Sequence, residues 1–352
     1  MADSTLVTKQ PLARTPGRFI GGLRFDRLIT IFICWFLGGL FLDGWAHSHG
    51  QVDNTFFTPW HAVLYAGYAT CAVVLALTVF INHRRGYRWW QAIPDGYEFA
   101  ALGVPIFACA GVGDLVWHTL FGFETGIEPF LSPTHLLLAL GGLLIMSGPF
   151  RAAWRRADAP SEQRWATLFP AIISLTAILS LFTFFTSFAH PFVQTWLLTD
   201  PSVGDAEKSR GAAAVLLQAA ILMGVILLAL RRWRLPVGTL TLVLTLNIAL
   251  MSVFGQDNQY QLIPLALLSG VIIDALLWSL KPSVNRLAAL RIFAFAVPVV
   301  FYLDYFVPIM IQNQGIQWST HLWLGSTVMA GIVGLTLSYL LLPPWMPAGQ
   351  TG

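Results

Sequence analysis

Ten stretches of this chain are long and apolar enough to cross a bilayer, and that pattern leaves few folds open. A spanning helix needs about 20 mostly apolar residues. Stretches of that kind run over 28–47, 58–81, 97–119, 132–150, 166–190, 211–230, 236–254, 260–280, 291–310 and 318–342. Inside hydrocarbon no water can satisfy a backbone N–H or C=O, so only helices and closed barrels span it. Continuous apolar runs of this length read as helices. Composition agrees: of 352 residues, 56% are hydrophobic and 11% charged, against about 25% charged in a soluble domain. The expected fold is all-α, a polytopic transmembrane helical bundle of about ten helices. The stretch 236–254 is short and holds Asn247, which makes it the weakest of the ten.

Charge orders these helices across the membrane. Of the 20 Lys and Arg residues, all but Lys208 and Arg210 fall before the first helix or in alternate connections. They lie at 9–27, 84–88, 151–164, 231–234 and 281–291. Cytoplasmic retention of positive loops then sets both termini inside, in a plasma (inner) membrane. The first 20 residues are polar, so a removable signal peptide is not expected. The expected organisation is a cytoplasmic, disordered segment over 1–24, a membrane domain over 25–343 and a short tail over 344–352. Cys34, Cys71 and Cys109 all lie within apolar stretches, so they read as core residues rather than a disulfide framework. No Gly-rich phosphate loop or basic nucleic-acid patch is present, and the lipid bilayer is the one partner that composition demands.

A polar pattern interrupts the helix ends twice. "DGWAHSHGQVDNTFFTPWHAVLYAGY" and "DLVWHTLFGFETGIEPFLSPTHLLLALGG" both read Asp-x3-His, a polar loop, then Ser/Thr-Pro-x-His. The sets are Asp43, His47, Pro59, His61 and Asp114, His118, Pro133, His135. An Asp and a His four apart share one helix face. Proline suits a helix's first turn, where its missing N–H costs nothing. Each hairpin is therefore expected to bring one carboxylate and two imidazoles to one depth on the extracytoplasmic side. Such a set, with room for exogenous ligands, is the type used for non-haem iron and catalytic zinc. The metal-ligand candidates are Asp43, His47, His61, Asp114, His118 and His135.

Two plainer readings compete. Polar residues near a membrane boundary are cheap, and Asp43–His47 and Asp114–His118 ion pairs alone would close two helix ends. Against this, the same costly pattern occurs twice. A frayed third copy is read at Asp304, Ser319 and His321, with His190 and Pro264 marking eroded ones, so that the bundle reads as a repeated helical hairpin. Asp53, Glu124 and Glu128 read as solvated loop carboxylates, His49 as a spare imidazole, and Trp45, Trp60 and Trp117 as an interfacial aromatic belt. Asp274, within a span, is a functional candidate by its depth.

Asp43-x3-His47-x13-His61 resembles the Asp-x3-His-x12-His copper motif in the C subunit of the membrane-bound methane and ammonia monooxygenases. The likeness covers about twenty residues. It departs by one residue in the first spacing and by four in His118-x16-His135, and this chain carries the motif twice, with more spans. The resemblance implies copper at Asp43, His47 and His61 and copper-dependent hydroxylation. Membrane hydrolases of the ceramidase and adiponectin-receptor type also use His and Asp around zinc, but their seven spans and motif order are not found. The expected function is a metal-dependent oxidoreductase, monooxygenase-like, acting on a small apolar or lipid-soluble substrate through copper, with iron and zinc as alternatives. A zinc hydrolase and a transition-metal transporter or chaperone are the competing classes, and partner subunits or a homo-oligomer are compatible with either.

Overall fold

The computed structural model describes residues 19–52, 57–156, 164–255 and 259–342. The expected flanking segments fall largely outside these residues, as does Asp53. The described chain is all helix: α1 (Gly22–Ser48), α2 (Pro59–Arg84), a single turn α3 (Trp89–Ala92), α4 (Glu98–Phe121), α5 (Pro133–Met146), α6 (Gly148–Arg155) and α7 (Trp165–Phe185). Then follow a single turn α8 (Trp196–Thr199), α9 (Asp205–Arg232), α10 (Thr239–Phe254), α11 (Leu262–Leu280), α12 (Leu287–Gln312) and α13 (Thr320–Leu341). Among the described residues, nine helices are long and apolar enough to cross a membrane, with α5 and α6 together forming one span. The protein is a multi-pass membrane protein.

The tenth expected stretch is α10, with 16 residues. At 1.5 Å per residue it reaches about 24 Å, short of a hydrocarbon core of about 30 Å. Its first turn starts inside the bundle and is capped from the neighbouring helix. Asp274 of α11 accepts from the backbone N–H groups of Leu240 and Thr241 at 3.3 and 2.8 Å, and from the Thr241 hydroxyl at 2.6 Å. A carboxylate at a helix N-terminus satisfies orphan donors and complements the dipole. The depth of Asp274 is thus explained by capping.

Two further boundaries differ from the hydropathy reading. The stretch 132–150 breaks at Ser147, where Pro149 cannot donate a backbone hydrogen bond and α5 passes into α6. The stretch 166–190 ends as α-helix at Phe185, and the 3-10 turn Ser187–Ala189 leaves His190 beyond the span. α1 begins at Gly22, so Arg24 and Arg27 lie in its first turns rather than before it.

Sequential helices pair as antiparallel hairpins: α1 with α2, α4 with α5, α10 with α11 and α12 with α13. α7 is the most deeply buried span and touches α1, α5, α6, α9 and α10. α9 packs most extensively on α13. Alternating direction puts the C-termini of α1 and α4 and the N-termini of α2 and α5 on one face. Near the opposite face, buried Asp26 accepts from Tyr97 Oη at 2.8 Å and pairs with Arg156 Nη1 at 2.5 Å. That clasp ties α1, the start of α4 and the end of α6 together.

Candidate metal centre

The first cluster is built by the α1–α2 hairpin. Asp43 and His47 sit one turn apart in the last turns of α1, and His61 sits in the first turn of α2. Thr58 caps α2, with Pro59 at the first helical position, and its hydroxyl accepts the backbone N–H of His61 at 3.1 Å. The same hydroxyl lies 3.2 Å from His61 Nδ1. With Nδ1 engaged outward, Nε2 turns inward to 3.4 Å from Asp43 Oδ2. The His47 and His61 rings are 5.5 Å apart. Asp43 is buried, its Oδ1 has no hydrogen-bond partner, and His47 is exposed.

The second cluster repeats this arrangement in α4–α5. His118 Nε2 is 3.5 Å from Asp114 Oδ2, and His135 Nε2 is 3.4 Å from Asp114 Oδ1. Ser132 is the N-cap of α5, Pro133 follows, and Ser132 Oγ lies 2.7 Å from His135 Nδ1. Thr134 donates to Asp114 Oδ1 at 2.7 Å. His118 Nδ1 faces Glu124 Oε2 at 3.3 Å and the Gly122 carbonyl at 3.2 Å, and its ring stacks on Phe123.

In both clusters one donor atom from each of three residues lies within 4.8 Å of the others. Donors sharing an ion at about 2.1 Å are roughly 3–4 Å apart, so a modest contraction would close either set on a metal. The donor chemistry fits: an acceptor-only carboxylate, an orphaned buried oxygen on Asp43, and, in His61, His118 and His135, imidazoles whose inner nitrogen is presented by an outer hydrogen bond. The two groups are also within electrostatic reach of each other. Asp43 interacts with Asp114, and His47 with His61, His118, His135 and Asp114.

The structure therefore brings all six candidate ligands together as two sets of three. In the first set the imidazole nearest Asp43 is His61 of the facing helix rather than His47, so the pairing expected of a simple i,i+4 ion pair holds only for Asp114 and His118. Glu124, expected as a solvated loop residue, is turned inward behind His118 with both carboxylate oxygens buried. Tyr65 gave no signal in the sequence beyond standing one turn after His61. It interacts electrostatically with both Asp43 and Asp114, and its hydroxyl fills the space left by Gly111 on α4, 2.9 Å from where a Cβ would stand. It therefore lies between the two hairpins at the level of the clusters.

The remaining candidates fall elsewhere. His49 stacks on Trp45, with Nδ1 2.9 Å from the Trp45 carbonyl. Asp304 accepts from Ser269 Oγ at 2.5 Å. Ser319 caps α13 through the Leu322 N–H, which places His321 one residue earlier in its helix than His61 or His135 stand in theirs. No third Asp/His cluster forms among the described residues. Comparison with family models, curated proteins and solved structures finds no match; the functional reading rests on this geometry.

Proposed function

We propose that this protein is a metal-dependent membrane oxidoreductase acting on a small apolar or lipid-soluble substrate. Its ions are held by Asp43, His47 and His61 and by Asp114, His118 and His135. The observation that carries this reading is the composition of each cluster, one carboxylate and two imidazoles, which leaves coordination positions for exogenous ligands. Copper is favoured at such a site by the Irving–Williams order, and iron by the 2-His-1-carboxylate set. The likeness of Asp43, His47 and His61 to the monooxygenase copper motif supports the same chemistry. By the distribution of Lys and Arg, the clusters face the extracytoplasmic side of the plasma membrane.

The surroundings favour a substrate that arrives through lipid. Val112, Val116, Leu120 and Phe121 present apolar surface outward on α4 beside the Asp114 cluster. Between His135 and Arg151 the chain has no ionisable residue, so no charged track leads from the clusters along α5. That absence ranks transport below turnover.

The test is reconstitution of metal-free protein in nanodiscs with copper, iron or zinc in turn. Oxygen uptake is measured with a quinol as electron donor, alongside ester and amide cleavage and metal flux in vesicles. Hydroxylation takes two electrons and two protons with each O2, placing one oxygen in product and one in water. Quinol-dependent uptake with copper or iron is the expected result. Activity with redox-silent zinc alone would make the protein a hydrolase, and flux without turnover a carrier.

A further inference from the structure

The two clusters share a plan but not an environment. At the Asp114 cluster the carboxylate is met on both sides and both imidazoles are held from behind. Both carboxylate oxygens face an imidazole, at 3.5 and 3.4 Å, and Oδ1 also accepts from Thr134. Each imidazole has its Nδ1 engaged: His135 by Ser132 at 2.7 Å, and His118 by the Gly122 carbonyl at 3.2 Å, with Glu124 Oε2 3.3 Å away. The Glu124 oxygens are buried and without a hydrogen-bond partner, so a buried carboxylate stands behind His118 on the side away from Asp114, where it favours the ring orientation that turns Nε2 inward. The Asp114 side chain is 3% exposed and that of His118 is 8% exposed.

At the Asp43 cluster the same positions are looser. Asp43 Oδ1 is buried without a partner, only His61 meets the carboxylate, and His47 is exposed. A metal binding there must order an exposed imidazole, and that side chain gives up rotamer freedom on binding.

We infer that the two clusters load in order and divide the work. The Asp114 cluster takes the first ion tightly and keeps it, and the Asp43 cluster takes the second and offers the open coordination position. This rests on the metal reading above. The electrostatic contact between the sets sharpens the order, because a dication at Asp114, His118 and His135 repels a second one arriving beside His47. Exogenous ligands, such as a small anion or the oxidant, then meet the ion at the exposed end of the pair.

Cobalt(II) titration of the metal-free full-length protein in nanodiscs tests this, read by visible absorption, with azide added at each stage. Two steps are expected, the first tighter by at least about tenfold, the effect typical of outer-shell partners. Glu124→Gln should weaken the first step by about 10–100-fold with an unchanged melting temperature. His47→Ala should remove only the second. Azide should shift the spectrum of the second ion and not of the first. Two indistinguishable ions, loss of the tight step in His47→Ala, or azide acting on the first ion would each overturn the division. Wild-type protein that binds no cobalt would remove the metal reading itself, and this inference with it.

Discussion

Thr58 makes one hydroxyl serve the fold and the site. It caps α2 by accepting the His61 backbone N–H and also holds the Nδ1 of the same histidine, whereas Ser132, at the N-cap position of α5, makes no capping bond with its hydroxyl and spends it on His135 Nδ1. Thr58→Ala should therefore lower stability by about 1 kcal/mol, the usual worth of a cap, and also weaken metal uptake at Asp43, His47 and His61. Melting and metal content measured on the same sample separate the two effects, and a variant that loses stability but keeps full affinity would confine Thr58 to capping. His190 raises a different question. It lies beyond α7, fully buried, with Nδ1 unpartnered, and burial pushes its imidazole down from 6.5 to about 3. Between those values the unfolded chain binds a proton that the folded one refuses. Its contribution to stability is thus complete above about pH 6.5 and is lost as pH falls toward 3. Melting in detergent at about pH 7.5 and about pH 5 should show that loss in the wild type, and His190→Gln should flatten it; an equal slope in both would assign the acid sensitivity elsewhere. The six cluster residues were legible because Asp-x3-His and Pro-x-His are local patterns on helix ends. Tyr65 and Glu124 were not, because what places them is the approach of separate hairpins and the fold of one loop.

Hairpin geometry depends on glycines at the crossing points. A Cβ at Gly67 would stand 2.6 Å from Phe36 Cα, and one at Gly39 2.8 Å from Leu64 Cα, so α1 and α2 touch backbone to backbone. Gly103 and Gly141 do the same between α4 and α5, with a Cβ at Gly103 only 2.7 Å from the Gly141 carbonyl. In lipid, where apolar side chains gain little by leaving the solvent, close backbone approach is a main source of helix association. It also brings Asp43 to His61 and Asp114 to His135, whose residues lie on facing helices. Gly67→Val should cost about 1–3 kcal/mol by overpacking and empty the Asp43 cluster while sparing the other. Metal stoichiometry falling by one ion per chain is the expected reading, and an unchanged count would mean that the hairpin tolerates the spread. The helices themselves were readable from apolar length. Their neighbours were not: hydropathy gives no sign that α7 is central or that α9 packs most extensively on α13. The break at Ser147 and the shortness of α10 likewise depend on Pro149 and Asp274, single residues whose effect requires the packed partner.

At the scale of the whole molecule, the two faces of the bundle differ in kind. One carries both Asp/His clusters and the exposed loop positions Gly126 and Gly204. The other carries the Asp26–Tyr97–Arg156 clasp, Arg84, Arg85 and Arg88, and exposed Trp89 and Trp90, with the His83 ring stacked on Trp89 at 3.9 Å. Arginines beside tryptophans at one helix end suit an interface with anionic lipid. The excess of Lys and Arg on that face predicts that it is cytoplasmic, with the clusters outside. Single cysteines at Gly126, Gly204 and Arg85, in a parent with Cys34, Cys71 and Cys109 replaced by serine, test this in intact cells. A membrane-impermeant maleimide reacts with the thiolate in water and meets little thiolate within the bilayer. Labelling at Gly126 and Gly204 without permeabilisation, and at Arg85 only after it, is the expected outcome. The reverse pattern would turn the molecule over. The clusters would then draw their metal from the cytosol, and the open position beside His47 would face reductants rather than the oxidising exterior.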